Sequence, residues 1–331
     1  MAYTTIDNPE LYFQAKTYTG NGSTQSITLD GDENMQPDLV WIKQRNANST
    51  YHWLGDSVRG VTKYLSSNVT STEATETTQI TSFDSDGFSL GNKTNTNDNS
   101  DTYVAWCWKE SATAGFDIVT YTGNETARTI SHSLSAKPKI IICKGRSVVS
   151  NWTTQHGSYG AEKQFQLQET DAVADNATTW NDTEPTTSVF SVGTSTACND
   201  NEETFVAYLF AEKQGYSKFG TYTTNGNANG SFTYLGFKPA FVIHKQAGST
   251  GDWRSWNNKS NPHNPMNHSL FPNTDADEYD TDAVQVDFVS NGIKWRQTDT
   301  TNNNPSGGTF IYMDWAEATF VNSNGVPCNA R

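Results

Sequence analysis

Gln36-Pro37-Asp38-Leu39-Val40-Trp41-Ile42-Lys43 runs from a proline through four apolar residues to a lysine. The same phrase returns as Lys137-Pro138-Lys139-Ile140-Ile141-Ile142-Cys143-Lys144 and as Lys238-Pro239-Ala240-Phe241-Val242-Ile243-His244-Lys245. The prolines stand 101 residues apart both times, and so do the closing lysines. Proline is tolerated at the head of a strand, where its missing N–H costs no ladder bond. A short apolar run behind it fits a strand covered on both faces. Other landmarks recur in the same order. A Tyr-Thr pair precedes each phrase (Tyr18-Thr19, Tyr121-Thr122, Tyr222-Thr223), and a tryptophan follows it (Trp53, Trp152, Trp253). Each repeat closes on an aromatic strand: Tyr103–Trp108, Phe205–Phe210 and Phe310–Trp315. In the first of these, Val104, Trp106 and Trp108 alternate with Tyr103, Ala105 and Cys107, the period of a strand.

A period near 100 residues exceeds that of solenoid units and suits a domain with its own core. Turn signals such as Asp86-Gly87, Asn225-Gly226 and Asn291-Gly292 fill the gaps between runs. No stretch holds a sustained 3.6-residue period, so helix should be minor. The expected fold is all-β: three tandem β-sandwich, jelly-roll-like modules. Residues 1–13 would form an arm, 14–112, 113–213 and 214–318 the modules, and 319–331 a tail. The joints are too short to be flexible linkers, so the modules should abut as a stack or a cluster. An arm or tail becomes ordered when something ties it down, and docking on a neighbouring subunit would do so.

Composition narrows the function classes. The 331 residues carry 22 Lys+Arg against 36 Asp+Glu, a net charge of −14, which disfavours a phosphate-binding surface and hence nucleic acid as a partner. No apolar run reaches membrane-spanning length, and the N-terminus lacks the basic and apolar regions of a secretory signal. The four cysteines form no CxxC pair and are expected as free thiols. The six histidines form no metal-binding pattern; His244 reads as structural, and His263 and His268, in a Pro/Asn-rich loop, as surface contacts. The acidic stretch containing Asp275, Asp277 and Asp280 is the weak candidate for a cation, although its spacing lacks the glycine and terminal glutamate of a calcium loop. Neither a nucleophile–base arrangement nor a defensible carboxylate pair is present, so no catalytic residue and no cofactor is assigned. Trp53, Trp152 and Trp253 follow the central strand in polar contexts, where their recurrence also fits a cap on each core, and Trp180 and Trp256 are less tied to the repeat. These five are the candidate contacts for a sugar ring or a partner protein.

The landmarks together resemble a family of tandem β-repeat virion structural proteins of tailed bacteriophages, especially marine ones, often labelled tail fibre or structural protein. The resemblance rests on 53–67, 82–108, 118–144, 180–193, 203–219 and 232–245. It extends to the ending Ala316-Glu317-Ala318-Thr319-Phe320 and Gly325-Val326-Pro327-Cys328-Asn329-Ala330-Arg331. It implies a non-catalytic virion component, assembled in the host cytoplasm and displayed on the particle surface, with other virion proteins as partners. The primary expectation is a tail fibre or attachment appendage, a homo-oligomer and more specifically a trimer, contacting host surface glycan or protein. The alternatives are a capsid (head) decoration or knob protein and, behind it, a polysaccharide-degrading β-sandwich enzyme.

Overall fold

The proline-led runs become the buried strands Leu39–Gln44, Ile140–Gly145 and Phe237–Gln246 of a computed structural model that describes residues 3–297, 299 and 304–328. The first two residues of the arm and the last three of the tail lie outside the described residues. In the third repeat the strand begins before its proline, and the ladder shifts register at Pro239, which supplies no N–H there.

Each repeat builds an antiparallel sheet with the same four strands in one spatial order, and in the second repeat Lys163–Gln166 and Ala174–Asp175 extend it to six. The opening strand (Phe13–Thr19, Phe116–Thr122, Ser217–Thr223) pairs with the closing strand (Thr102–Trp108, Thr204–Phe210, Thr309–Thr319). The closing strand pairs with the proline-led strand, and that with a fourth (Trp53–Asp56, Thr153–His156, Arg254–Asn257). A smaller sheet covers one face: Gln25–Thr28, Gly87–Leu90 and Ile80–Asp84 in the first repeat, Arg128–Ser131 and Val189–Val192 in the second, Phe232–Tyr234, Gly292–Gln297 and Val284–Val289 in the third. The fold is all-β, and its helical pieces are single turns. Among the described residues no helix is long and apolar enough to cross a membrane.

The large sheets are apolar on both faces because each covers two cores. Val40, Ile42, Tyr103, Ala105 and Cys107 face the small sheet of the first repeat; Ile141, Cys143, Phe205, Ala207 and Leu209 face that of the second. The opposite faces meet in one cluster that runs through all three repeats, and there the structure departs from three modules with separate cores. Trp108, Phe210 and Trp315 hold the same register position in their sheets, opposite Leu39, Ile140 and Phe241. Their rings touch one another edge to face, with centroids 6.2, 5.3 and 5.2 Å apart and interplanar angles of 62°, 73° and 71°. Three equivalent residues in mutual contact mark a pseudo-threefold axis. The axis is packed: a void lined by these rings measures about 20 Å³ and is apolar. Edge-to-face aromatic pairs add about 0.5–1.5 kcal/mol each beyond burial, so the triad welds the sheets to one another.

The joints are tight turns. Gly115 and Gly215 adopt φ of +75° and +80°, and a Cβ on them would meet the Ala211 carbonyl oxygen at 2.4 Å and Thr319 Oγ1 at 2.6 Å. The arm docks on its own chain: Ile6 enters the shared core, and Thr4 Oγ1 donates to the Gln214 carbonyl at 2.7 Å. The tail joins it there, with the Ser323 amide and hydroxyl donating to Asp7 at 2.7 and 2.6 Å.

Candidate functional site

The five tryptophans proposed as contacts are all buried, none more than 2% exposed, so none offers a surface for stacking. Trp180 lies in the core of the second repeat and Trp256 against His244 in the third. Trp53 faces the core of the first repeat and is not the equivalent of the other two recurring tryptophans. The register pairs Trp53 with Ile42, Thr153 with Cys143 and Arg254 with His244, so the residue in line with Trp152 and Trp253 is His52. A slip of one residue in a strand moves a side chain to the opposite face.

His52, Trp152 and Trp253 make one contact three times over, each with the preceding repeat. Trp152 Nε1 donates to the Ser66 carbonyl at 2.8 Å, Trp253 Nε1 to that of Gln166 at 3.0 Å, and His52 Nε2 meets that of Phe271 at 2.9 Å. The backbone repeats the pattern: Glu73 N–H donates to Arg146, Val173 N–H to Ala247 and Glu278 N–H to Arg45, at 2.7, 2.9 and 2.8 Å. First to second, second to third, third to first: the repeats close into a ring.

Charge is concentrated at these joins. Arg146 grips Glu73 at 2.9 and 3.0 Å, and Arg45 grips Glu278 at 3.0 and 2.7 Å, while the third join carries the apolar pair Val173 and Ala247. Burial opposes ionisation of Glu73 and Glu278, yet the guanidiniums hold both carboxyls below their ordinary value. Buried Arg59 is bound by Asp56, by Glu73 at 3.1 Å and by Tyr208 of the second repeat at 3.1 Å. The phrase-closing lysines Lys43, Lys144 and Lys245 are buried beside the joins, and burial brings each down to about 8. Their ammonium groups donate to carbonyls, including Asp275 of the third repeat for Lys43 and Thr70 of the first for Lys144.

The acidic stretch therefore serves as a clasp. The Asp275 carbonyl faces Lys43, the Asp277 amide binds Asn48, and Asp280 accepts from Asn267. Among the described residues no group of three His, Cys, Asp or Glu side chains is arranged to hold a metal ion. His268 sits between Glu278 and Asp280, and His244 packs inside the third repeat with Nδ1 2.8 Å from the Tyr222 hydroxyl. Cys107, Cys143 and Cys198 are buried free thiols, and Cys328 is an exposed one. Asp84 is bound by Ser82 and Ser89 in the first repeat and Glu203 by Ser147 in the second, so these two carboxylates serve separate sites.

The third repeat breaks the ring's symmetry. Its loop from Asn257 to His268 is longer than those from Asp56 to Lys63 and from His156 to Lys163. With the arm it walls a groove of about 520 Å³, lined by Glu10, Lys238, Asn258, Lys259, His263 and Glu317 over Met266 and Phe288. The charges are balanced: Lys238 pairs with Glu317 at 2.6 Å and Lys259 with Asp30 at 3.1 Å. Burial raises the Glu10 carboxyl, partly offset by the Asp32 amide. A rim of amides and paired charges above an apolar floor suits a polar ligand of low net charge.

A family profile described as a domain of unknown function (DUF7483) matches residues 8–319. The chain belongs to the DUF7483 family. The DUF7483 match begins in the arm and ends with the last strand of the third sheet, so it takes in the whole ring. No curated protein matches the sequence. Within the DUF7483 ring, sequence reasoning flagged His263 but missed His52 as an interface residue, Arg254 and the groove. The unequal loop length was the available signal for the groove. Glu10 lies more than 200 residues in the chain from Lys238, Lys259 and Glu317, and only the fold brings them to one groove.

Proposed function

We propose that this protein is a non-catalytic surface component of a tailed-bacteriophage particle, an attachment appendage that contacts host surface glycan or protein. The sequence resemblance motivates the reading, and one observation carries it: a closed, rigid ring in which the irregular polar features gather on the third repeat. A scaffold with a single differentiated face is what an attachment module needs, since a rigid support limits the ordering cost of binding. Purified protein should compete with intact particles for adsorption to host cells, and antibody labelling should place it on the tail. Absence from purified particles would refute the proposal.

A second reading is favoured by the pseudo-threefold axis. One chain presents three homologous sheets about the axis, so a single copy approximates a threefold position on a capsid without forming a trimer itself. The head-decoration alternative therefore stays in play, with labelling on the head as its signature. In either setting the protein would assemble in the host cytoplasm beside other virion proteins.

A further inference from the structure

We propose that the third repeat carries a saccharide site for a neutral pyranoside, built on Tyr279, Arg254 and Asp252 where the third repeat meets the second. The ligand class deepens the attachment reading and rests on it; the site is argued from the geometry alone.

Arg254 is 7% exposed, and no carboxylate among the described residues lies within ion-pair distance of it. Its guanidinium caps two rings that touch each other, 4.5 Å from the centroid of Phe271 and 5.3 Å from that of Tyr279, whose centroids lie 6.1 Å apart at 58°, and Nη1 donates to Ser269 Oγ at 3.0 Å. An arginine placed in this way fixes the plane of the ring beside it. Tyr279, 47% exposed, is thereby a pre-oriented aromatic platform. It overlooks a hollow of about 400 Å³ lined by Thr170, Thr250, Asp252, Arg254 and Asp299. Asp252 is held in place by Asn273 Nδ2 at 2.9 Å. An aromatic face for the C–H side of a sugar ring, with carboxylate and hydroxyl groups for its hydroxyls, is the chemistry of saccharide recognition. Two carboxylates against one guanidinium disfavour an acidic sugar.

The ring supplies its own control. In register, Arg254 stands where the other repeats have Trp53 and Thr153, Phe271 where they have Ser66 and Gln166, and Tyr279 where they have Ala74 and Ala174. Asp252, just before Trp253, corresponds to Asn151 before Trp152. The matching hollow where the second repeat meets the first, about 370 Å³, is lined by Thr70, Val148, Val149, Ser150, Asn151 and neighbours, with neither ring nor guanidinium. All the parts of the platform changed together in one repeat.

Saturation-transfer NMR on the full chain, with methyl α-D-glucopyranoside, methyl α-D-galactopyranoside, N-acetylglucosamine and sialyllactose as probes, tests the site. At least one neutral probe should bind, and Tyr279→Ala and Asp252→Asn, which install the second repeat's residues, should each weaken it tenfold or more. Val149→Ser, in the matching hollow, should leave binding unchanged. No transfer to any neutral probe, equal binding by both variants, or a preference for sialyllactose overturns the site. If that happens while the protein still blocks host adsorption, the attachment reading survives; if the site binds as expected but the protein is absent from particles, the reading falls and the site stands.

Discussion

Replacing Asp314 by leucine should make the protein more stable, and increasingly so as the pH rises. Asp314 lies in the closing strand of the third sheet opposite Val242, fully buried, with neither carboxylate oxygen hydrogen-bonded. The same register position holds Cys107 in the first sheet and Leu209 in the second. Burial pushes the carboxyl well above its ordinary 3.8, and the pull of Lys218 in the other direction is weaker. The folded state therefore keeps a proton that the unfolded state releases. Stability from this group is complete below the unfolded value and declines above it, by about 1.4 kcal/mol per pH unit until the folded carboxyl ionises. A buried polar group without a partner costs roughly a further 1–3 kcal/mol at any pH. Asp314→Leu removes both costs, so the gain should be about 1–3 kcal/mol from the unpartnered group alone and larger as the pH rises. Urea unfolding of both proteins at pH 5, 6 and 7 measures the midpoint and its slope against pH. A variant less stable than the parent, or a difference that does not grow with pH, would refute the reasoning.

Trp152→Ala and Trp253→Ala should each cost about 3–5 kcal/mol by leaving a cavity in the shared core, a loss visible in urea midpoints. Asp56→Ala leaves Arg59 buried with reduced compensation and should cost about 3 kcal/mol or more; an effect below 1 kcal/mol would mean that Glu73 suffices. Lys43, Lys144 and Lys245, lowered to about 8, bind fewer protons folded than unfolded between pH 8 and their ordinary 10.5. Stability should accordingly rise from pH 8 towards pH 10, and replacing all three by methionine should flatten that rise. Calorimetry should give one transition whose calorimetric and van't Hoff enthalpies agree, because the central core is shared by all three repeats; three resolved transitions would contradict the ring.

Much of the fold was legible because strand patterns are local. The proline-led runs and the aromatic closing strands fell where their periodicity placed them, since a strand covered on both faces needs apolar residues without a break. That same pattern could not say what lay on the second face. Val104, Trp106 and Trp108 would look alike under a sheet of their own repeat or under the neighbouring repeats, and only the fold distinguishes the two. Trp53 misled for a related reason. Matching by residue type aligned it with Trp152 and Trp253, whereas matching by ladder register selects His52, which shares a hydrogen-bonding role with tryptophan but little composition. The polar features of the third repeat stayed hidden because Glu10, Lys238 and Glu317 converge from opposite ends of the chain, and Arg254 and Tyr279 stand out only once their counterparts in the other repeats are known.

The contact between Asp7 and Ser323 brings the arm and the tail side by side. A short peptide would bridge them, and the turn at Gly115 or at Gly215 could then be opened to make new termini. Circular permutants cut at either turn should fold to the same ring, because its order around the axis does not depend on which sheet the ribosome makes first.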